Sequence, residues 1–135
     1  MIDTLIVPKK TVASAKGEGP AVDISAAKNR VFLLTLCITK IIEQEALDVS
    51  IHGSADGTTW SAVSLASFPQ KFYAEESPLL LDLTGQKDIR FLRAQWNAIR
   101  WGRGSETPMF EFHVGLREIP TEILKQTTAE AKSLL

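Results

Sequence analysis

Apolar and polar positions alternate with a period of two through most of the chain from Val31 to Arg117, the spacing of β-strands rather than helices. Leu47, Val49 and Ile51 interleave with Asp48, Ser50 and His52. Leu92, Ala94, Trp96 and Ala98 interleave with Arg93, Gln95 and Asn97, and Phe110, Phe112, Val114 and Leu116 with Glu111, His113 and Arg117. Each run predicts a strand with one face on a core and one toward water. Val31–Ile38 and Leu79–Leu83 are apolar on both faces and predict central strands, or strands whose outer face meets a partner. With Ala21–Ile24, Phe68–Phe72 and Thr59–Leu65 the chain holds about eight short strands. The predicted fold class is all-β: an antiparallel β-sandwich of jelly-roll type.

The ends break this pattern. Pro8–Pro20 is rich in Lys, Gly, Ala and Ser, and residues 1–20 read as an N-terminal arm, in which Met1–Val7 could add an edge strand. Residues 21–119 form the sandwich domain. After Pro120 the spacing becomes helical: Thr121 can cap, and Ile123, Leu124, Ala131 and Leu135 share a side, so residues 120–135 predict a short C-terminal helix. Within the domain, Ala55-Asp56-Gly57-Thr58 places Asp-Gly where a tight turn needs a positive φ, joining Leu47–Gly53 to Thr59–Leu65 as a hairpin.

At 135 residues with 44% hydrophobic and 23% charged positions, the chain has the composition of one globular domain. The net charge of −1 provides no global field toward nucleic acid, which argues against nucleic acid as a partner. Charge is uneven locally. Residues 87–104 hold Lys87, Arg90, Arg93, Arg100 and Arg103 against Asp88 alone, while residues 43–56 hold Glu43, Glu45, Asp48 and Asp56 without a cation. Such segregation suits head-to-tail self-association. The longest apolar run is too short for a membrane span. Met1–Val7 lacks the basic start of a signal peptide, so cytoplasmic synthesis is expected, with a virion or other assembly as the destination.

Candidate chemistry is sparse. The single cysteine, Cys37, excludes an intramolecular disulfide, reads as a buried thiol and has no partners for a metal site. The two histidines, His52 and His113, fall on polar strand faces with no Gly-x-Ser-x-Gly elbow, and with Asp48 they could bind zinc only in a favourable register. The carboxylate pairs Glu43/Glu45 and Glu75/Glu76 lie in connections rather than across a rigid cleft. The sequence therefore points to no catalytic residues, no metal and no cofactor.

Arg100-Trp101-Gly102-Arg103-Gly104 stands out, because Trp and Arg dominate binding hot spots and glycines let a partner approach the backbone. The candidate partner- or ligand-binding residues are Trp101, Arg100 and Arg103, with Tyr73 and Trp60 as stacking faces. The alternative to this function is that Trp101 plugs the end of the sandwich. Two functions follow: a non-catalytic structural or assembly module, as a subunit of a homo-oligomer or a virion decoration protein, and, as the runner-up, a carbohydrate-binding module.

Ser54-Ala55-Asp56-Gly57-Thr58-Thr59-Trp60, at the end of the Leu47–Gly53 strand, resembles the Ser-x-Asp-Gly-x-x-Trp hairpin of discoidin-like (galactose-binding-like) jelly rolls. Ile89-Arg90-Phe91-Leu92-Arg93 is similar to that family's Arg-aromatic-aliphatic-Arg strand, and Phe110–Glu118 matches its closing strand in position. The resemblance spans about half the chain. It implies a jelly roll with ligands held by loops at one end of the barrel, and a hairpin in which Asp56-Gly57 makes the turn while Trp60 covers the core.

Overall fold

A computed structural model of the chain describes residues 2–41, 45–61, 63–71, 73–100 and 109–120, with only the backbone of Glu45 and Arg100. Trp101, Arg103 and the expected C-terminal helix lie outside the described residues. The described part is all-β, in two antiparallel sheets. In chain order its strands are β1 (Asp3–Ala13), β2 (Lys16–Glu18), β3 (Val22–Asp23), β4 (Val31–Ile41), β5 (Glu45–Ser54), β6 (Ala66–Ser67), β7 (Glu76–Asp82), β8 (Phe91–Arg100) and β9 (Phe110–Glu118). The first sheet runs β1-β9-β4-β7; the second runs β2-β8-β5-β6, with β3 also paired to β8.

The period-two pattern places the core. Inward residues of the first sheet (Phe32, Leu34, Leu36, Phe112, Val114, Leu116) meet those of the second (Leu47, Val49, Ile51, Leu92, Ala94, Ala98) in one buried cluster. Trp96 of β8 reaches across to Phe112 of β9, ring centroids 5.3 Å apart and edge to face at 82°. The three alternating runs and Val31–Ile38 are strands as expected, and Val31–Ile38 is central, between β9 and β7.

Other expectations need correcting. Residues 3–18 are not an arm: β1 pairs with β9 in the first sheet, and β2 pairs with β8 in the second. Pairing uses backbone groups, so a Lys-rich strand can belong to a sheet with few core side chains. Here Ile6, Val7 and Ala13 supply them. Around Pro8, which cannot donate to the ladder, the register slips and Lys10 takes φ 64°. Gly17 and Gly19 are packing glycines rather than linker residues. A Cβ on Gly17 would come 2.5 Å from the Trp96 indole nitrogen, and one on Gly19 would come 3.1 Å from the Ile6 carbonyl.

All of the doubly apolar Leu79–Leu83 except Leu83 belongs to an edge strand, β7, which explains how Pro78 is tolerated within it. The return strand after Asp56-Gly57 is the two-residue β6, opposite Ser50 and Ile51, and among the described residues of 59–65 and 68–72 there is no strand. Asp56 Oδ1 accepts the backbone N–H groups of Thr58 and Thr59 (2.9 and 2.8 Å), and Ser54 Oγ accepts those of Asp56 and Gly57 (3.2 and 2.9 Å). These bonds wrap the chain into a wider loop, with Gly57 at φ 82°.

One buried acid on β9 ties the start of β1 and the loop before β4 together at the end of the core. Glu118, 1% exposed, accepts bonds from the backbone N–H groups of Ile2 (3.0 Å), Lys28 (3.2 Å) and Asn29 (3.0 Å) and from the Asn29 amide (2.7 Å). Burial pushes its carboxyl up, but the bonds from Ile2, Asn29 and Lys28 together outweigh that and hold it below the ordinary 4.5.

Candidate functional site

The two sheets present very different outer faces. On the second sheet, β2, β8, β5 and β6 align their outward residues in cross-strand rows. Lys16 lies opposite Asn97, which lies opposite Asp48; Glu18 lies opposite Gln95, then Ser50, then Ser67; Arg93 lies opposite His52. These rows frame two adjoining shallow depressions. One, of about 490 Å³, lies across β8 between β2 and β5; the other, of about 460 Å³, lies toward β6. They share Asp48, Ser50 and Gln95.

The polar groups here are partly committed to one another. Gln70 Nε2 donates to Asp48 Oδ2 at 3.2 Å, Ser64 and Ser67 share a hydroxyl contact of 3.1 Å, and Arg93 pairs with Glu18 at 3.2 Å. The half-buried amides of Gln95 and Asn97 have no side-chain partner among the described residues.

His52 is on this face as expected but is 5% exposed rather than solvated, because the segment after Gly57 folds over it. Its Nδ1 faces the Ser61 carbonyl at 3.0 Å, so Nδ1 donates there, and Nε2 lies 3.0 Å from Ser50 Oγ. A serine hydrogen-bonded to an oriented histidine has the outline of a nucleophile and base. However, β5 is paired on both sides, to β8 and β6, so the sheet occupies the backbone N–H groups that could hold an oxyanion beside Ser50.

On the first sheet, the outward positions of β1, β9, β4 and β7 form an apolar strip. Leu33 lies opposite Leu80 and Thr35 opposite Pro78, while on the other side Thr35 meets Gly115 and Gly115 meets Leu5. Leu80 is 56% exposed, and nothing stands within 4 Å of a Cβ built on Gly115. Charges of both signs border the strip: Asp3, Glu76, Asp82 and Glu111 with Lys40 and Arg117. Cys37 also lies on this face, half-buried rather than fully buried. Burial pushes its thiol up, aided by the Glu76 carboxylate and opposed by Lys9.

Of the sequence-predicted site residues, only Trp60, Tyr73 and the backbone of Arg100 are described, and Trp60 and Tyr73 lie apart. Trp60 covers no core; it is half-buried on the outer side of the second sheet, with the Arg93 guanidinium 4.4 Å from its ring centroid. Tyr73, 74% exposed, follows Lys71, which bridges to Leu47, whereas Arg93 lies opposite His52. Five residues of β5, about 17 Å, separate those two points. The backbone of Arg100 ends β8 opposite Glu45, at the Tyr73 end.

Among the described residues, the acidic β5 and the basic β8 are hydrogen-bonded neighbours rather than opposing patches. His52 and His113 lie on different sheets, and among the described residues no three His, Cys, Asp or Glu side chains could hold a metal. Sequence reasoning missed Gln95, Asn97 and Ser50 as site residues. Their place on the polar faces of alternating strands was visible; their alignment into rows was not.

The class these features define is an all-β protein of two antiparallel sheets around one core. No family model matches the chain, and no curated protein matches its sequence.

Proposed function

We propose that the domain is a non-catalytic assembly module that binds a second copy of itself through the outer face of its first sheet. The apolar strip of Leu5, Leu33, Pro78 and Leu80 around Gly115 carries this reading. Four strands 4.8 Å apart, each about 30 Å long, give a face of roughly 600 Å² before side-chain relief, near the roughly 800 Å² per partner of a stable interface. Charges of both signs around an apolar centre let one copy complement another, as an isologous contact requires.

The strand order supports the finer reading of a jelly-roll sandwich: β1-β9-β4-β7 facing β2-β8-β5-β6 is the order expected of two interleaved Greek keys. Capsid proteins use this architecture, which favours a virion-type or other homo-oligomeric assembly by fold analogy. The discoidin-like resemblance belongs to the same proposal. So does a short amphipathic helix after Pro120, offered to neighbouring subunits.

Light scattering across a range of concentrations tests the proposal. A defined dimer that Leu80→Arg converts to a folded monomer is expected. A wild-type monomer at every concentration overturns it.

A further inference from the structure

We infer that Cys37 and His113 are half of a zinc site, which two copies of the chain complete between the outer faces of their first sheets. The inference rests on the assembly reading and goes beyond it by naming a ligand and the axis that relates the two copies.

Register brings the pair together. The chain has one cysteine and two histidines, and Cys37 on β4 lies directly opposite His113 on β9. Both point outward, each between two buried neighbours on its own strand: Leu36 and Ile38 for the cysteine, Phe112 and Val114 for the histidine. The Ile38 N–H donates to the Glu75 carbonyl on the β7 side, so the backbone of Cys37 faces β9. Cys37 and His113 are therefore a hydrogen-bonded cross-strand pair, with Cα atoms about 5.5 Å apart. Both side chains are half-buried, and neither has a hydrogen bond or ion pair among the described residues.

The donor atoms define the ion. Thiolate sulfur and imidazole nitrogen suit zinc, which takes four such ligands in a tetrahedron. One chain offers two, because no third His, Cys, Asp or Glu joins them among the described residues. On binding, each Cys37 thiol releases its proton to solvent. The two thiolates then offset the two positive charges of the ion, and both imidazoles bind neutral.

The strand order shows how a second copy supplies the other two. The sheet β1-β9-β4-β7 has its midline between β9 and β4, and a two-fold axis along that line lays β4 of one copy over β9 of the other. His113 then faces Cys37 of the second copy, and two sulfurs and two nitrogens surround one point on the axis. Packed sheets stand about 10 Å apart, so this point is about 5 Å from each, the reach of a cysteine or histidine side chain and its bond to the metal. The same axis matches the flanking residues. Glu76 lies opposite Cys37 on β7, and the Lys9 ammonium acts on that thiol from the β1 side, so Glu76 of one copy meets Lys9 of the other. One row along, Leu5 meets Pro78.

The test uses the metal-stripped full chain under a phosphine reductant, titrated with zinc and, for its spectrum, with cobalt(II). Zinc should saturate at one ion per two chains, and cobalt should give the intense visible bands of a tetrahedral thiolate site. With zinc at about a hundred times its dissociation constant, linkage makes the dimer roughly a hundredfold tighter by light scattering. Cys37→Ser and His113→Ala should each abolish the bands and this tightening. If either loses its folded circular dichroism spectrum, Cys37→Ala or His113→Gln takes its place. A dimer that binds no zinc overturns the inference and leaves the assembly reading standing, whereas a chain that is monomeric with and without zinc overturns both. One ion per chain, or zinc binding that the folded variants leave intact, also overturns the shared site.

Discussion

The outer faces of the two sheets are built from the same alternating pattern yet present opposite chemistry. The first exposes Leu80, Leu5 and Pro78 beside Leu33. The second exposes amides, hydroxyls and paired charges, with its one buried histidine locked between Ser50 and Ser61. A strand's inward face is constrained by the shared core, but its outward face is free to vary. Function therefore has to be read from the outward residues of neighbouring strands taken together, because a binding surface is a property of rows across the sheet.

The largest expected effect removes the buried acid at the end of the core. Glu118→Ala would leave three backbone N–H groups and the Asn29 amide without their acceptor in a buried site, at a cost of about 3 kcal/mol or more. Urea denaturation would show a lower midpoint with an unchanged slope. An unchanged midpoint would mean that water replaces the carboxylate and that β1 and the loop before β4 are not held there.

A pair of glycines sharpens the contrast between the sheets. Gly17→Val drives side-chain atoms into Trp96 and should cost about 1–3 kcal/mol, with a shift in tryptophan fluorescence. Gly115→Val enters open space on the first sheet and should leave thermal stability unchanged or raise it by up to about 1 kcal/mol. Equal losses at both positions would erase the distinction between a packed edge and an open face.

Acid provides a graded version of the first test. Glu118 binds its proton less readily in the folded chain than in the unfolded one, so its contribution is complete above its ordinary value of 4.5 and is lost as pH falls through the lower folded value. Asp23, Asp56 and Asp82 are held low by hydrogen bonds from Ser25, from Thr59, Thr58 and Ser54, and from Thr84, and they act in the same direction. Melting temperature should therefore be flat from neutral pH to about 5 and then fall. Glu118→Gln should start lower and fall less. Parallel curves for the two proteins would remove Glu118 from the account.

The smallest change in stability comes with the clearest change in mass. Leu80→Arg, on the exposed edge strand, should shift stability by no more than about 0.5 kcal/mol while abolishing self-association. Gln95→Arg on the other face should leave the oligomer intact. If both variants associate alike, the first sheet is not the contact surface.

The places where reading and structure part share a cause. Gly17 and Gly19 look like linker residues until Trp96 and the Ile6 carbonyl are placed beneath them. The charges of residues 43–56 and 87–104 look segregated until β5 and β8 lie side by side. Trp60 looks like a core residue until the loop fixed by Ser54 and Asp56 carries it over Arg93. Each depends on a neighbour distant in sequence, and only pairing supplies that neighbour.

The sequence by itself determined which residues face inward, because side-chain direction along a strand alternates whatever the partner. Leu47, Val49, Ile51, Leu92, Ala94, Phe110, Phe112, Val114 and Leu116 are buried as their spacing demanded. The tertiary structure alone decided which outward residues share a row, that residues 3–18 join both sheets, and that Glu118 closes the end of the core. The reason is physical: alternation is a local property of the backbone, whereas register and strand order are set by long-range pairing that no short stretch of sequence contains.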